Sequence, residues 1–279
     1  AHTFGVPHPP GYPLWLILAW AADHLLTFGT VALRVTLVSL IPSALANVVV
    51  LALLLKSMRG RLAACVGAAL FAVSLTHWTQ AVIPEVYGLN TLFIVLQVLL
   101  LVLLAEAPSA QRLLLLAFVT GLSATNHTSA APVGLLVLVA AVIIAPALFR
   151  RSAVVMGCLV VGVAPLLLYA VLPLASARNP YVDWGHPKTL SALVDHVTRA
   201  QYTSLESERQ VDDPLAHRAR RLLILAQWGT KQFGSGWTWI VAALGFVALL
   251  RRQTGLTLLL FLLAWLSTIV VIRYATFSF

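Results

Sequence analysis

The segment GVPHPPGYPL, residues 5–14, contains four prolines and two glycines in ten positions. Proline fixes φ and removes a backbone donor, and a residue that precedes proline is pushed towards extended backbone. This Pro-rich segment therefore predicts a stiff, extended loop that holds His8 and Tyr12 in fixed positions beside an apolar structure. The alternative is a simple proline-rich lead-in to the helix that follows.

The composition is that of an integral membrane protein. Hydrophobic residues make up 60% of the 279 residues, charged residues only 10%, and the mean hydropathy is +0.93. A soluble domain carries about 25% charged residues. The apolar runs are long and do not alternate, which predicts membrane helices. Cys65 and Cys158 lie inside apolar runs and indicate buried thiols rather than a disulfide or a metal pair.

The apolar runs predict an all-α, polytopic bundle with about eight spans. The first run, 14–28, carries Asp23 and His24. At 1.5 Å per residue it reaches about 22 Å, less than the ~30 Å hydrocarbon core, so we expect an interfacial helix that does not cross. The expected spans are 34–55, 62–78, 86–105, 113–125, 131–149, 154–174, 237–250 and 256–272.

Polarity divides the chain into four parts. Residues 1–30 form the end of a first outer loop, and 31–174 a six-span core. Residues 175–236 form an extracytoplasmic loop with amphipathic helices at 188–201 and 218–233, and 237–279 form two C-terminal spans. The chain does not begin with Met and ends just after an apolar run, so we expect it to be a piece of a longer protein.

Positive charge is concentrated in four loops, which carry eight Lys or Arg and one Glu: 56–61, 106–112, 150–151 and 251–252. If 14–28 does not cross, all four lie on one side, which the positive-inside rule makes cytoplasmic. The Pro-rich segment, Glu85, His127 and the long loop then share the extracytoplasmic side. The net charge of +9 thus reflects topology rather than nucleic-acid binding.

Polar residues at this outer face are candidates for chemistry, because placing them at the membrane edge is costly. Glu85 is a candidate for a general base, a metal ligand or a hydroxyl-binding group. The alternative is a structural role, as a carboxylate stabilised by the dipole at a helix N-terminus. His127 suits phosphate contact or proton transfer, or else a hydrogen-bonded helix end. Arg178 and Arg34 suit phosphate binding, or else snorkelling to headgroups. Trp184 suits stacking on a sugar, or else anchoring its loop.

Several ordered motifs accompany these residues between Gly5 and Tyr202. They are His8 to Leu14, Arg34 with Ser39, Glu85-Val86-Tyr87 with Leu89-Asn90, Gly121-Leu122 with Asn126-His127-Thr128, Pro173-Leu174 leading to Arg178, Asn179-Pro180 with Trp184-Gly185 and Pro187, and Gln201-Tyr202. In order and spacing they resemble the protein O-mannosyltransferases of the transmembrane protein 260 type.

The resemblance implies a GT-C-like helical bundle and an inverting glycosyltransferase. Such an enzyme moves a hexose, here expected to be mannose, from a polyprenyl-phosphate donor to a hydroxyl of an acceptor protein or glycan. The implied partners are membrane lipid, this donor and the acceptor, without nucleic acid. The active face is extracytoplasmic, which is the periplasmic or outer side in a bacterium or the ER lumen in a eukaryote. The lipid-linked donor is the only ligand implied; no metal ligands are assigned, and a divalent-metal requirement stays open.

We expect catalytic roles for Glu85 and His127, with Glu85 an orienting group rather than the base. The expected substrate-binding residues are His8, Tyr12, Arg34, Tyr87, Asn90, Asn126, Arg178, Trp184 and Tyr202. Two departures from the family stand out. Its acidic base lies upstream of the Pro-rich segment, before this chain begins, and its Pro-Leu-Arg order is replaced here by Pro173-Leu174-Ala175, with Arg178 three residues later.

Two other functions fit the same sequence. A transporter or flippase for lipid-linked sugars predicts polar residues spread through the membrane midplane and paired broken helices. Clustering of the polar positions at one face favours a transferase instead. The second alternative is an inactive membrane fragment that lacks its catalytic carboxylate.

Overall fold

The computed structural model describes residues 1–58, 60–127, 129–202, 214–234 and 236–251, and single positions at 255, 258, 261, 262, 264 and 265. Some parts of the expected elements lie outside the described residues: Arg59, Thr128, 203–213, Arg252 and most of 256–272. Within them the chain forms helices and no β-strand, with one isolated parallel bridge between Val6 and Asp183. The all-α prediction is confirmed.

The described helices follow one another with short connections. They are α1 (Pro13–Leu25), α2 (Val31–Ser57), α3 (Arg61–Val73), α4 (Leu75–Ala81), α5 (Tyr87–Glu106), α6 (Ala110–Ala124), α7 (Ala130–Ile144), α8 (Pro146–Phe149), α9 (Ser152–Val163), a 3-10 segment (Ala164–Ala170), α10 (Val171–Ser176), α11 (Leu190–Val197), α12 (Pro214–Lys231) and α13 (Trp237–Leu250).

Local chemistry explains where several helices begin. The hydroxyls of Thr30, Ser109 and Thr189 accept hydrogen bonds from backbone amides three residues later, at 3.2, 3.3 and 3.2 Å. These caps satisfy amides that have no partner in the first turn of α2, α6 and α11. Helix α1 begins at Pro13, whose fixed φ and missing donor suit the first helical position.

Three helical stretches are long and apolar enough to cross a membrane: Val31–Ser57, Tyr87–Glu106 and Ser152–Ser176, of 27, 20 and 25 residues. A fourth crossing results if α3 and α4, bent by 58°, count as one span. Helices α6, α7 and α13 are apolar but shorter. The chain is therefore a helical membrane protein, and the count of about eight spans stays a prediction.

Two expected spans are broken in the structure. The span expected at 62–78 bends at Ser74, whose amide and hydroxyl both donate to the carbonyl of Phe71 and end α3. The span expected at 131–149 stops after α7, because Ala145 precedes Pro146 and leaves the helical region, with φ −129° and ψ 54°. A residue before proline is disfavoured in helical backbone.

Helix α5 lies at the centre of the described bundle and packs against α2, α6 and α7, while α6 also packs against α9. Fully buried apolar side chains on these helices include Leu101, Leu104, Leu113, Leu116 and Val137. Helices α2 and α5 approach closely at Gly88, where a Cβ atom would lie 2.5 Å from both the Ser39 carbonyl oxygen and the Ser43 hydroxyl. A larger residue at 88 would push these two spans apart.

The bundle has two chemically distinct ends. At one end, Lys56 at the close of α2 pairs with Glu106 at the close of α5, with Nζ and Oε2 2.8 Å apart. At the other end, Asp23 of α1 pairs with Arg34 of α2 at 2.8 Å, and Tyr12 before α1 stacks on His127 after α6. Both ends of α1 thus contact this second end, so α1 lies across it. The compartment that each end faces stays a prediction.

The Pro-rich segment is a non-helical loop, as predicted, and the long loop is docked on it. The extended backbone predicted for the whole segment is found around Val6 only: residues 8–12 form a turn, in which the amide of Gly11 donates to the carbonyl of His8 at 3.0 Å and Tyr12 has φ +45°. The amide of Val6 donates to the carbonyl of Val182 at 2.8 Å, and the amide of Trp184 donates back to Val6 at 3.1 Å. Gly11 has φ +95°, and a Cβ atom there would collide with the Leu172 side chain. Only glycine adopts such backbone readily, so the residue fixes this contact.

Candidate functional site

Histidine and aromatic rings from four segments meet at the second end of the bundle. The rings of Tyr12 and His127 stack, with centroids 5.7 Å apart and an interplanar angle of 10°. His8 contacts Tyr12 at 5.1 Å and Trp184 at 6.2 Å, and Tyr87 contacts His127 at 5.5 Å. We call these five residues the aromatic cluster. All five were candidates from the sequence, and the structure brings them together.

His127 is held in one orientation by Ser129. The backbone amide of Ser129 donates to His127 Nδ1 at 3.1 Å, and the Ser129 hydroxyl lies 2.6 Å from the same nitrogen. A backbone amide only donates, so Nδ1 is the acceptor and the proton of the neutral ring is on Nε2. Burial, with added repulsion from Arg199 and His8, lowers the pKa of His127 to about 4. At neutral pH the ring is therefore an uncharged hydrogen-bond donor through Nε2.

Asn90 and Asn126 hold the loop that carries His127. Asn90 donates to the Ser129 hydroxyl at 3.4 Å. The buried Asn126 donates to the carbonyl of Val86 at 3.1 Å, which ties the end of α6 to the start of α5. Both asparagines are buried. Their hydrogen bonds position the loop that carries His127, and a direct role in substrate binding remains a prediction for each.

Glu85 lies beside the aromatic cluster with its carboxylate free. Its backbone amide and carbonyl both bond the Ser39 hydroxyl, at 3.0 and 2.7 Å, which fixes the chain. The side chain is exposed and has no hydrogen-bond partner among the described residues. The pKa of Tyr12 is raised, chiefly by burial and also by the charge of Glu85. The carboxylate, two residues before Tyr87 in the chain, is thus exposed and open to a ligand.

Arg199 is the cation of the site, and the sequence analysis did not select it. Its guanidinium lies over the ring of Tyr202, 5.0 Å from the centroid, which is cation–π geometry. Its charge helps to lower the pKa of His127. Its buried Nε has no hydrogen-bond partner among the described residues. Through Arg199, the predicted residue Tyr202 joins the site.

The backbone explains why Arg199 was missed. The sequence predicted a helix over 188–201, but α11 ends at Val197 and Arg199 adopts the left-handed region with φ +61°. Such backbone is uncommon for residues other than glycine, and no sequence signal marks it here. The available clue was the three-residue spacing of Arg199 and Tyr202 at the end of the predicted helix, which allows the two side chains to meet.

Two predicted phosphate ligands lie apart from the aromatic cluster. Arg34 donates to Asp23 Oδ1 at 2.8 and 3.3 Å and to the Gly29 carbonyl at 2.9 Å. The pKa of Asp23 is lowered by its hydrogen bonds from His2 and Arg34. Arg178 is exposed and its side chain makes no hydrogen bond with described residues. Phosphate binding by either arginine stays a prediction.

Comparison with known proteins identifies the family. The family described as the N-terminal domain of protein O-mannosyl-transferase TMEM260 matches residues 1–154. The chain belongs to the TMEM260 family. The match to the TMEM260 domain includes the Pro-rich segment, Glu85 and His127, whereas Trp184, Arg199 and Tyr202 lie beyond it.

Two curated relatives extend the TMEM260 comparison. A Mus musculus protein named protein O-mannosyl-transferase TMEM260 is 32% identical over 215 residues, which cover 72% of this chain and 30% of the relative. A Dictyostelium discoideum protein of the same name is 25% identical over 236 residues, 74% of this chain and 27% of the relative. The chain thus spans less than a third of the length of either relative. No solved structure matches it.

Proposed function

We propose that this chain is part of a membrane glycosyltransferase that moves mannose from a polyprenyl phosphate to a hydroxyl of an acceptor protein at the extracytoplasmic face. The names of its relatives support mannosyl transfer to protein. The observation that carries the proposal is the neutral His127 ring of the aromatic cluster, whose Nε2 carries the proton and whose pKa is lowered by burial and by the nearby charge of Arg199. A cation and a neutral donor at a membrane edge suit a phosphate carried on a lipid.

Arg199 and His127 act on the donor phosphate. As the bond between the anomeric carbon and the phosphate oxygen breaks, negative charge grows on the leaving polyprenyl phosphate. A fixed guanidinium and a fixed N–H stabilise that charge, and such preorganised electrostatics is commonly the largest catalytic contribution. Because the His127 ring is neutral, it donates a hydrogen bond without needing to lose a proton. We assign His127 to phosphate contact rather than to the base.

The acceptor side lies towards Glu85 and Trp184. The acceptor hydroxyl attacks the anomeric carbon from the face opposite the phosphate, so the configuration inverts, and its proton passes to a carboxylate. Glu85 orients this hydroxyl, and the base is the acidic residue that the family resemblance places upstream of the Pro-rich segment. The half-exposed Trp184 offers a flat apolar surface to a sugar ring.

The test is mannosyl transfer from a synthetic polyprenyl-phosphate donor to acceptor protein by the full-length protein. Arg199→Gln and His127→Ala should each lower kcat at least about ten-fold, because each removes a contact that strengthens in the transition state. Arg220→Gln, an exposed arginine on α12, is the matched control and should retain activity. Full activity in both site variants would refute the assignment.

The same assay distinguishes the transporter alternative. A transferase incorporates labelled mannose into acceptor protein in detergent, where no membrane separates two compartments. A flippase shows labelled lipid crossing a sealed vesicle and no incorporation. Incorporation in detergent therefore supports the proposal, and translocation without incorporation contradicts it.

A further inference from the structure

Three potential metal ligands meet at the far end of α1 from the aromatic cluster. His2 Nδ1 lies 2.5 Å from Asp23 Oδ2, and His24 Nδ1 lies 3.7 Å from the same oxygen. One ligand atom from each of these residues can be chosen so that all lie within 4.8 Å of one another. Two imidazoles and one carboxylate are a ligand set typical of zinc and related divalent ions.

The carboxylate of Asp23 is already oriented for such an ion. Its side chain is only 1% exposed, and Arg34 donates to Oδ1 alone, at 2.8 and 3.3 Å. Oδ2 is thereby left to face the two imidazoles. The outward side of the cluster is open, since the His2 side chain is 66% exposed and that of His24 39%. An ion can reach Oδ2 from water without opening the bundle.

His24 shows a further feature of a metal-binding histidine. Its Nδ1 lies 2.9 Å from the carbonyl of Trp20, and a carbonyl only accepts, so Nδ1 carries the proton. Nε2 then has a free lone pair, and it is the nitrogen of His24 that can bind a metal. Metal-binding histidines usually donate their other nitrogen to a carbonyl or carboxylate in this way. Stacking on the Trp20 ring, at 4.6 Å, holds the imidazole in this orientation.

We propose that His2, Asp23 and His24 bind one Zn²⁺ ion, with water in the remaining coordination position. The ion joins the segment before the Pro-rich loop to the corner between α1 and α2. Binding is weaker than at a closed four-ligand site, because one position is held by water and the Arg34 charge opposes the ion. The site is separate from the proposed transfer reaction, so either proposal can fail alone.

Zinc titration of the full-length protein in detergent, without a polyhistidine tag, tests the site. Calorimetry should show one saturable Zn²⁺ equivalent, and Co²⁺ should give the visible absorption bands of a low-coordinate complex. His2→Ala and His24→Ala should each weaken binding at least about ten-fold. Both side chains are exposed, so these variants should fold, whereas Asp23→Asn changes a buried group.

His186→Ala is the matched control. His186 also contacts an aspartate, Asp183, with Nδ1 and Oδ2 2.9 Å apart, but no third ligand joins that pair among the described residues. The variant should bind zinc like the wild type. Zinc should also raise Tm of the wild type and of His186→Ala but not of His24→Ala, because only a binding site in the folded state stabilises it. No saturable binding, or equal losses in His24→Ala and His186→Ala, overturns the proposal.

Discussion

The imidazole of His127 lies between the ring of Tyr12 and the hydroxyl of Ser129. Ring stacking alone would allow either nitrogen to carry the proton. The Ser129 amide removes that freedom and directs an N–H out of Nε2. The sequence suggested phosphate contact or proton transfer for this residue, and the local geometry favours phosphate contact.

The stability of the protein should fall in mild acid because of His127. Its folded pKa is about 4, below the usual value of 6.5 in the unfolded chain. Between these values the unfolded state binds more protons, so the free energy of unfolding decreases as pH falls from 6.5 to 4, by up to about 3 kcal/mol. His127→Gln should lose this part of the pH dependence.

Thermal unfolding in detergent at pH values from 7.5 to 4.5 measures this effect. His196 is also buried, and its pKa is lowered in the same direction, so the comparison must be between wild type and variant. Parallel pH profiles for the two proteins would show that His127 does not contribute.

At the scale of helices, two ion pairs join α2 to its neighbours in different surroundings. The Arg34–Asp23 pair is mostly buried, with side chains 17% and 1% exposed, whereas those of Lys56 and Glu106 are 36% and 47% exposed. Removing one partner of a buried pair leaves an uncompensated charge, while an exposed pair contributes about 1 kcal/mol or less. The Arg34–Asp23 pair therefore fixes α1 against α2, whereas the Lys56–Glu106 pair at the ends of α2 and α5 contributes little to stability.

Arg34→Gln should lower Tm several times more than Lys56→Gln, because only the first change removes the arginine partner of a buried carboxylate. Tm in low and high salt measures both effects, and salt should weaken the exposed pair alone. Equal Tm shifts for the two variants would show that the burial of Asp23 does not increase the contribution of its ion pair to stability.

Sequence reasoning succeeded for helices where strong signals agree. The Pro-rich segment was correctly predicted not to be helical. Pro146 marks the end of α7 in the structure, but the predicted span ran past this proline. The bend at Ser74 had no such signal, because no proline or glycine lies there. At the site, charge distribution placed His8, Tyr87 and Trp184 on one face, but the left-handed turn at Arg199 depends on tertiary packing that sequence patterns do not report.

At the scale of the whole molecule, the long loop completes the site by docking on the Pro-rich segment. Val6 exchanges hydrogen bonds with Val182 and Trp184, and the buried side chains of Val6, Leu16 and Leu172 form a small core beneath the loop. Trp184 and Arg199 both belong to this docked region. The aromatic cluster and its cation thus depend on one shared interface between distant parts of the chain.

Gly5→Val should loosen that interface. A Cβ atom at Gly5 would collide with the Val182 carbonyl oxygen, which accepts the Val6 amide. Hydrogen exchange at Val6 and Trp184 should then accelerate together, with little change in α5. Gly236→Val is the control, because nothing lies within 4 Å of a Cβ atom there. Unchanged exchange at both amides in Gly5→Val would contradict this description of the interface.

Helix α1 lies across one end of the bundle, with Leu18, Trp20 and Leu25 exposed along it. The sequence predicts that α1 is interfacial, so we expect these side chains to enter one leaflet to a depth of about 5–10 Å, whereas α2 and α5 are long and apolar enough to cross the membrane. Because the aromatic cluster is joined to the start of α1, we expect it to lie at the level of the headgroups of the near leaflet. When the bilayer thickens or thins, we expect the hydrophobic mismatch to arise at the Lys56–Glu106 end, while the aromatic cluster stays level with the lipid phosphates of the near leaflet.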